Sequence, residues 1–232
     1  MSGRERVLMA WSSGKDSAWA LHVLRQDPRI EVAGLLTTVN EAYDRVAMHA
    51  VRRALLERQA DAVGLPLVVV AIPSPCPNDV YETAMARANA EARERGIMGI
   101  AFGDLFLADI RRCRERQMEG SGLRLHFPLW HRPTPALAEE MIAGGLRARL
   151  TCIDPRLLPA ELAGAAFDRD LLARLPAGAD PCGENGEFHT FVHDGPDFAF
   201  PLRVRTGERV RREGRFHFCD LIEDEATPAM KA

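Results

Sequence analysis

Apolar runs alternate with amphipathic segments along the first 130 residues of the chain. The short apolar runs are of strand type, and the segments between them carry apolar residues at helical spacing. Five strands are predicted, at Val7–Trp11, Glu31–Thr37, Leu67–Ile72, Ile97–Phe102 and Leu125–Trp130. Helices are predicted between them, at about Asp16–Asp27, Asp44–Val63, Asn78–Arg95 and Leu107–Glu119. This alternation is typical of an α/β fold, a parallel sheet with helices on both faces.

The pattern changes after His131-Arg132-Pro133. A helix is predicted over Thr134–Ala143 and a strand over Arg147–Ile153, followed by a stretch rich in loops and prolines. Short alternating runs then predict antiparallel strands at Thr190–Val192, Phe198–Val204 and Phe216–Leu221. We therefore predict a five-stranded parallel α/β domain in residues 1–131 and a second, smaller α+β domain in residues 132–232.

The composition restricts the class of protein. A chain of 232 residues can bury a full core, and it has neither an apolar run of membrane-spanning length nor a segment of signal-peptide type, so we predict a soluble, cytoplasmic protein without a membrane partner. The five cysteines form no C-x-x-C pair or zinc-type cluster, which favours neither a disulfide framework nor a structural metal. The net charge of −3 makes nucleic acid an unlikely partner.

The turn after the first strand carries the sequence Ser12-Ser13-Gly14-Lys15-Asp16-Ser17. Ligands of doubly wound sheets bind at the carboxyl ends of strands, and small residues before a helix let backbone N–H groups converge on a phosphate. Lys15 is one of only two lysines among 30 Lys and Arg residues, and its compact ammonium suits a tight phosphate loop. A Walker A loop is excluded by Met9 and Asp16. The alternative is a Ser/Gly turn that only caps a helix.

A second motif, Cys182-Gly183-Glu184-Asn185-Gly186-Glu187-Phe188-His189-Thr190, lies near the other end of the chain. Two carboxylates three residues apart, between glycines and before His and Thr, are expected to face solvent, a ligand or Mg²⁺. A solvated turn is the alternative.

The first motif resembles the S-G-G-K-D-S loop of the PP-loop ATP pyrophosphatases. Together with G-E-N-G-E-F-H-T, it resembles the diphthine–ammonia ligase family and its bacterial relatives over nearly the whole chain. The resemblance implies a Rossmann-like nucleotide-binding domain of HUP type, with ATP and Mg²⁺ as cofactors. It also implies a ligase that adenylates a substrate carboxylate, releases pyrophosphate, and then releases AMP as ammonia attacks.

The resemblance also implies roles for residues. Those expected to bind ATP are Trp11, Ser12, Ser13, Gly14, Lys15, Asp16, Ser17, Thr38, Gly103 and Asp104, and the two aspartates are expected to hold Mg²⁺. Those expected around the acceptor are His49, Gly183, Glu184, Gly186, Glu187 and Thr190. Lys15, Glu187 and His189 are the expected catalytic residues.

Two departures from the family pattern matter. Ser13 replaces the usual second glycine, which predicts strain if this position needs a positive φ. His189 stands where the diphthine enzymes more often have Glu, which leaves the acceptor open, either a small molecule or a modified protein side chain.

Several alternatives stay open from the sequence. The chain can be an ATP- or AMP-binding module or a nucleotide hydrolase without ligase activity. A tRNA-modifying PP-loop enzyme ranks lower, because the chain has no cysteine pair and no extended basic surface. The segment Arg111–Arg116 is either a solvated helix face or an anion site. A homodimer is compatible with the sequence.

Overall fold

A computed structural model describes residues 3–46, 51–212 and 215–224, and two β-sheets organise them. The first sheet and its helices comprise β1 (Glu5–Ala10), α1 (Lys15–Arg25), β2 (Ile30–Asn40), β3 (Arg45–Val46), α2 (Arg53–Val63), β4 (Leu67–Ile72), α3 (Asn78–Glu94), β5 (Gly99–Ala101), α4 (Ala108–Met118) and β6 (Arg124–His126). The remaining elements are α5 (Thr134–Ala143), β7 (Arg147–Ile153), a 3₁₀ turn (Ala160–Leu162), α6 (Arg169–Arg174), β8 (Phe188–Asp194), β9 (Val204–Arg212) and β10 (Phe216–Glu223).

Five strands of the first sheet run parallel in the order β4-β2-β1-β5-β6. The middle strand is buried on both faces, with Val7, Leu8 and Met9 almost entirely shielded from solvent, as a sheet covered by helices on both sides requires. The strand order changes direction beside β1, and in doubly wound sheets this is where ligands bind. The predicted α/β fold with a parallel five-stranded sheet of HUP type is confirmed.

The predicted start of the second helix is wrong. Instead of entering a helix at Asp44, the chain continues β2 to Asn40 and pairs it antiparallel with β3, the sixth strand of the sheet. Asp44 has a φ of +48°, which a right-handed helix cannot contain, and α2 begins only at Arg53. His49, one of the predicted acceptor residues, lies outside the described residues.

The second sheet is antiparallel, in the order β8-β7-β10-β9, which confirms the smaller domain's predicted α+β class. The strand predicted at Phe198–Val204 is wrong, because strand structure begins only at Val204. Pro196 precedes that segment and Pro201 lies within it, and neither proline has an N–H to donate to a ladder. The segment is irregular, and its alternating apolar side chains pack on the core. The backbone N–H of Ala199 in this segment donates to the carbonyl of Ala62 at 2.7 Å.

The second sheet docks β8 against the turn between β1 and α1. The backbone N–H of Val192 donates to the carbonyl of Ser13 at 3.0 Å, and the N–H of Lys15 donates to Thr190 Oγ1 at 3.0 Å. One buried apolar cluster contains residues of both sheets.

The domain boundary at residue 131 stays a prediction. Among the described residues, no helix combines the length and apolar character that a bilayer crossing requires.

Candidate active site

The turn between β1 and α1 is closed by its own serine hydroxyls. Ser12 Oγ accepts from the N–H of Gly14 at 3.3 Å and lies 3.2 Å from Ser17 Oγ. The Ser17 hydroxyl donates to the carbonyl of Gly14 at 2.9 Å. These bonds fix the point at which α1 begins, so that its first turn faces the carboxyl edge of the sheet, where a helix N-terminus favours an anion.

Ser13 occupies the strained position that its substitution for glycine predicts. Its φ is +70°, a left-handed conformation that costs an L-residue about 1–2 kcal/mol, and its buried hydroxyl has no hydrogen-bond partner. Its carbonyl accepts from the Gln59 side-chain amide at 3.0 Å as well as from Val192. Gln59 also donates to the carbonyl of Val192 and accepts from the Trp11 indole at 2.9 Å, so the surrounding packing holds the strained turn in place.

We expect Ser13→Gly to stabilise the protein. Glycine adopts the left-handed conformation without the Cβ penalty and removes a buried hydroxyl that lacks a partner, so the free energy of unfolding should rise by about 0.5–1 kcal/mol. Urea denaturation measures the change. Ser12→Gly is the matched control: Ser12 bonds within the turn, so its replacement should lower stability. If Ser13→Gly and Ser12→Gly lowered the free energy of unfolding equally, the backbone at Ser13 would not be strained.

Lys15 points into the protein and is only 2% exposed. Its ammonium donates to both carboxylate oxygens of Asp16, at 2.9 and 2.8 Å, and to the carbonyl of Cys182. The ring centroid of Phe188 lies 5.4 Å from the nitrogen, within cation–π range. Burial lowers the pKa of Lys15, but Asp16, Cys182 and Glu184 together outweigh burial and hold that pKa above its ordinary value. Lys15 is therefore a fixed positive charge at neutral pH.

The segment from Asp180 to Thr190 forms the facing wall. Gly183 has a φ of +69°, and a Cβ there would lie 2.9 Å from the backbone carbonyl oxygen of Phe188, so this position requires glycine. Glu184 accepts from the N–H of Leu105 at 2.9 Å, and its own N–H donates to Asp180 at 2.9 Å. The second motif is thereby tied to the segment that follows β5.

A cavity of about 220 Å³ lies between these two motifs, and we call it the polar cavity. It is lined by Ala10, Ser12, Lys15, Asp16, Ser17, Phe102, Gly103, Asp104, Arg114, Cys182, Gly183, Glu184, Gly186, Phe188, His189 and Thr190. Burial raises the pKa of Glu184 to about 7. Burial and the nearby Lys15 charge lower the pKa of His189 to about 4, so its imidazole is neutral at pH 7. The polar cavity thus contains a carboxyl group that titrates near neutrality.

Glu187 does not line the polar cavity. It is 2% exposed, and its Oε1 accepts from the N–H of Asp180 at 2.8 Å and from the side chain of Asn185 at 3.2 Å. These bonds hold the loop closed from within. The placement favours a bracing role for Glu187, whereas Glu184 is the carboxylate of the motif that lines the cavity.

The residues after β5 form the floor of the polar cavity. A Cβ on Gly103 would lie 2.8 Å from the carbonyl carbon of Asp16, so glycine lets this segment pass directly beneath the first turn of α1. Asp104 pairs with Arg114 of α4, whose Nη2 lies 3.0 Å from Oδ1. The Arg114 guanidinium also lies 4.5 Å from the ring centroid of Phe102. Of the arginine-rich segment, this residue faces the cavity.

A second cavity of about 350 Å³ adjoins the first along the same sheet edge, and we call it the apolar cavity. Its walls come from the five strands β1 to β5 and the helices α3 and α4. It is lined by Ala10, Trp11, Ser12, Leu36, Thr37, Thr38, Val46, Ile72, Tyr81, Met85, Asn89, Ile100, Phe102, Arg114, Gln117 and Met118. The two cavities share the lining residues Ala10, Ser12, Phe102 and Arg114, so they adjoin, and we call the two together the depression.

The structure brings most of the predicted site residues to this depression. Trp11 and Thr38 line the apolar cavity, and Ser12 lines both. The other predicted ATP ligands that line a cavity are in the polar one, namely Lys15, Asp16, Ser17, Gly103 and Asp104. Of the predicted acceptor and catalytic residues, Gly183, Glu184, Gly186, His189 and Thr190 also line the polar cavity. The other two predicted ATP ligands, Ser13 and Gly14, line neither cavity and belong to the turn itself.

Both parts of the chain match families of one enzyme. Residues 5–125 match the diphthamide synthase N-terminal domain, and residues 134–223 match the diphthamide synthase C-terminal domain. The chain belongs to the diphthamide synthase family. A relative from Danio rerio, named diphthine–ammonia ligase, is 27% identical over 231 residues, which covers 88% of each chain. The resemblance to this family is confirmed, whereas membership of a bacterial branch of the family stays a prediction.

The polar cavity of this diphthamide synthase family member has carboxylates of the kind that bind Mg²⁺. A bound nucleotide would have to supply the remaining ligands. Asp16, Asp104 and Glu184 all line the polar cavity. Among residues 3–46, 51–212 and 215–224, no group of three or more potential ligands could hold a metal by itself. Mg²⁺ usually keeps several waters and uses one or two carboxylates together with substrate phosphates, which is what this donor set offers.

Sequence reasoning missed several residues of the site. Gln59 is completely buried and holds the strained turn, but a single glutamine in an amphipathic helix gives no signal. Asp180 precedes the second motif and anchors both of its carboxylate residues. The walls that α3 and α4 give to the apolar cavity follow only from tertiary packing.

Proposed function

We propose that this protein is an ATP-dependent ligase that activates a substrate carboxylate as its adenylate and transfers it to ammonia. The observation that carries the proposal is the depression that the two adjoining cavities make at the carboxyl edge of β1. Its apolar part suits an adenosine, and its polar part presents Lys15 and the first turn of α1 to phosphates. The diphthine–ammonia ligase name of the Danio rerio relative supports the same reaction class.

In this proposal, the protein binds the triphosphate along the polar cavity. Lys15 and Arg114 supply positive charge to the phosphates, and Asp16 and Asp104 would hold Mg²⁺, which would neutralise charge on the departing pyrophosphate. The carboxylate of the acceptor attacks the α-phosphorus, and the bond to the β-phosphate oxygen breaks. In this proposal the acceptor enters beside the second motif, whose Cys182 carbonyl contacts Lys15.

The amide-forming step needs a group that accepts a proton. When ammonia attacks the acyl carbon and AMP leaves, the nitrogen must lose a proton. Glu184 has a pKa of about 7 and lines the cavity, so it is suited to take that proton, and neutral His189 is suited to orient the nucleophile. This assignment moves the base from Glu187, which lies outside the cavity, to Glu184.

The test is a product assay with fractionated cell extract as the source of acceptor. We expect ATP to be converted to AMP and pyrophosphate only when extract is present, and ¹⁵N from labelled ammonium to appear in a new amide. Formation of ADP and phosphate would contradict adenylation. Stoichiometric ATP binding without AMP or pyrophosphate, even with every fraction supplied, would favour a nucleotide sensor.

A further inference from the structure

A third cavity, of about 340 Å³, lies beside the paired strands β7 and β8 of the second sheet, and we call it the arginine cavity. Its polar lining residues are Arg147 and Arg149 on β7, His193 on β8, and Asp168. The other six lining residues are apolar or glycine. The structure describes all ten, and none of them lines the polar or the apolar cavity. The arginine cavity is therefore separate from the depression.

The strand pairing brings the two arginines and the histidine together. Arg147 and Arg149 are two residues apart on β7 and share a face of the sheet. Arg149 is paired with Phe191 across the strands, and His193 lies two residues further along β8. Burial and the charges of Arg149 and Arg147 lower the pKa of His193 to about 4, against the opposing effect of Asp194. The imidazole is therefore neutral at pH 7, and the arginines carry the positive charge of the cavity.

Arg149 is a half-buried cation that is only partly satisfied. Its Nη1 donates to the carbonyl of Gly164 at 3.1 Å. Among the described residues, five buried side-chain atoms have no hydrogen bond, and Arg149 Nε is the one that belongs to a cation. A buried donor without an acceptor costs about 1–3 kcal/mol, so this atom points to a ligand that accepts from it.

The carboxylates around the cavity are engaged elsewhere. Asp168 caps α6 by accepting from the N–H of Leu171 at 2.9 Å, and Asp194 lies 3.9 Å from Arg147. The acceptor for Arg149 must then come from outside these residues. Nε and Nη2 form one edge of a guanidinium, and such an edge binds a carboxylate or a phosphate through two parallel hydrogen bonds.

The charges and walls of the cavity decide between these two ligands. With His193 neutral, the lining residues carry two positive charges and one negative charge, so a single negative charge on a ligand completes the balance. A phosphate dianion would place a second negative charge near Asp168, which Coulomb repulsion disfavours. The apolar lining side chains suit a carbon chain. A carboxylate with an apolar body meets both conditions.

We propose that the arginine cavity is a binding site for a small organic monocarboxylate, which Arg149 holds through its Nε edge while the carbon chain contacts the apolar walls. This site lies outside the depression that carries the proposed ligase reaction. It therefore adds a second ligand to the protein, and its occupation does not require a nucleotide.

The test is an NMR titration of the full-length protein with hexanoate, followed through the methyl signals of Ile142 and Leu146, which line the cavity. Hexanamide has the same shape without the charge, and inorganic phosphate has charge without the chain. We expect hexanoate to bind at least about tenfold more tightly than either, because charge-assisted hydrogen bonds are about twice as strong as neutral ones. Saturating ATP with Mg²⁺ should leave hexanoate bound, since the cavities share no lining residue.

Arg149→Gln should weaken hexanoate binding at least about tenfold, because it removes the charge and the Nε donor. Arg149→Lys keeps the charge without Nε and should also bind more weakly than the wild-type protein. Arg147→Gln is the matched control: the Arg147 side chain is 72% exposed, so the affinity should change by less than about threefold.

Three results with the wild-type protein would overturn the monocarboxylate site. They are unchanged Ile142 and Leu146 signals at every soluble concentration of hexanoate, equal affinities for hexanoate and hexanamide or phosphate, and displacement of hexanoate by ATP. These comparisons decide even if an Arg149 variant fails to fold. Each of these results leaves the ligase proposal standing, because no residue of the arginine cavity lines the depression.

Discussion

Replacing Lys15 with methionine should abolish most of the ATP-dependent activity, lowering acceptor-dependent formation of AMP and pyrophosphate by about 10²–10³-fold. Lys15 is 2% exposed and charged, and its ammonium lies where the turn after β1 meets the second motif. Methionine has a similar length but no charge, so the polyphosphate would lose its most deeply buried cation. The measurement is the rate of AMP formation at saturating ATP.

The control for this variant must address stability. Lys15→Met leaves the Asp16 carboxylate without its cation, which destabilises a partly buried site. The double variant Lys15→Met/Asp16→Asn removes both charges and should regain part of the lost stability without regaining activity. A Lys15→Met protein that forms AMP within a fewfold of the wild-type rate would show that the ammonium is structural.

Replacing Glu184 with glutamine should remove the pH dependence of the reaction near neutrality. Burial raises the pKa of Glu184 to about 7, so the carboxylate needed as a base forms only as the pH rises through this value. With the concentration of free NH₃ held constant, the wild-type rate should increase up to about pH 7 and then level off. Glu184→Gln should lower the rate by about 10²–10⁴-fold and lose this limb of the profile.

The stability of the folded protein should fall over the pH range in which the reaction rate rises. The folded pKa of Glu184 lies above its unfolded value, so the folded state binds more protons and loses stability as the pH rises from about 4.5 to about 7. Glu184→Gln should therefore raise the free energy of unfolding at pH 8 by roughly 1–3 kcal/mol. Glu187→Gln is the matched control: it should weaken the loop and retain the limb near pH 7. If the rate of Glu184→Gln still rises with pH up to about pH 7, a group other than Glu184 is the base.

The sheet could be predicted because its signal is local. Five apolar runs separated by amphipathic helices specify a parallel sheet that helices cover on both faces, whereas the strand order is seen only in the structure. The predictions that failed depend on geometry that periodicity does not encode. Asp44 adopts a positive φ, so the helix predicted to start there begins only at Arg53, and Phe198 packs on the core from a segment that is not a strand.

The site could be predicted to the level of motifs and not of individual side chains. The turn at Ser12–Ser17 and the glycine-flanked carboxylates meet as expected, because both occupy positions that suit ligands better than cores. The sequence cannot show which of two glutamates three residues apart turns inward. Glu187 does so because Asp180, outside the recognised pattern, donates its N–H to it. The inward direction of Arg114 likewise depends on its ion pair with Asp104.

The most direct measurement is a crystal structure of the protein with Mg²⁺ and α,β-methylene ATP, whose α–β bond cannot be cleaved. We predict the adenine in the apolar cavity and the phosphates in the polar cavity, with a phosphate oxygen within hydrogen-bond distance of Lys15 Nζ and the α-phosphorus open towards Glu184. Phosphates bound away from the turn after β1, with Lys15 still held only by Asp16 and Cys182, would contradict the account.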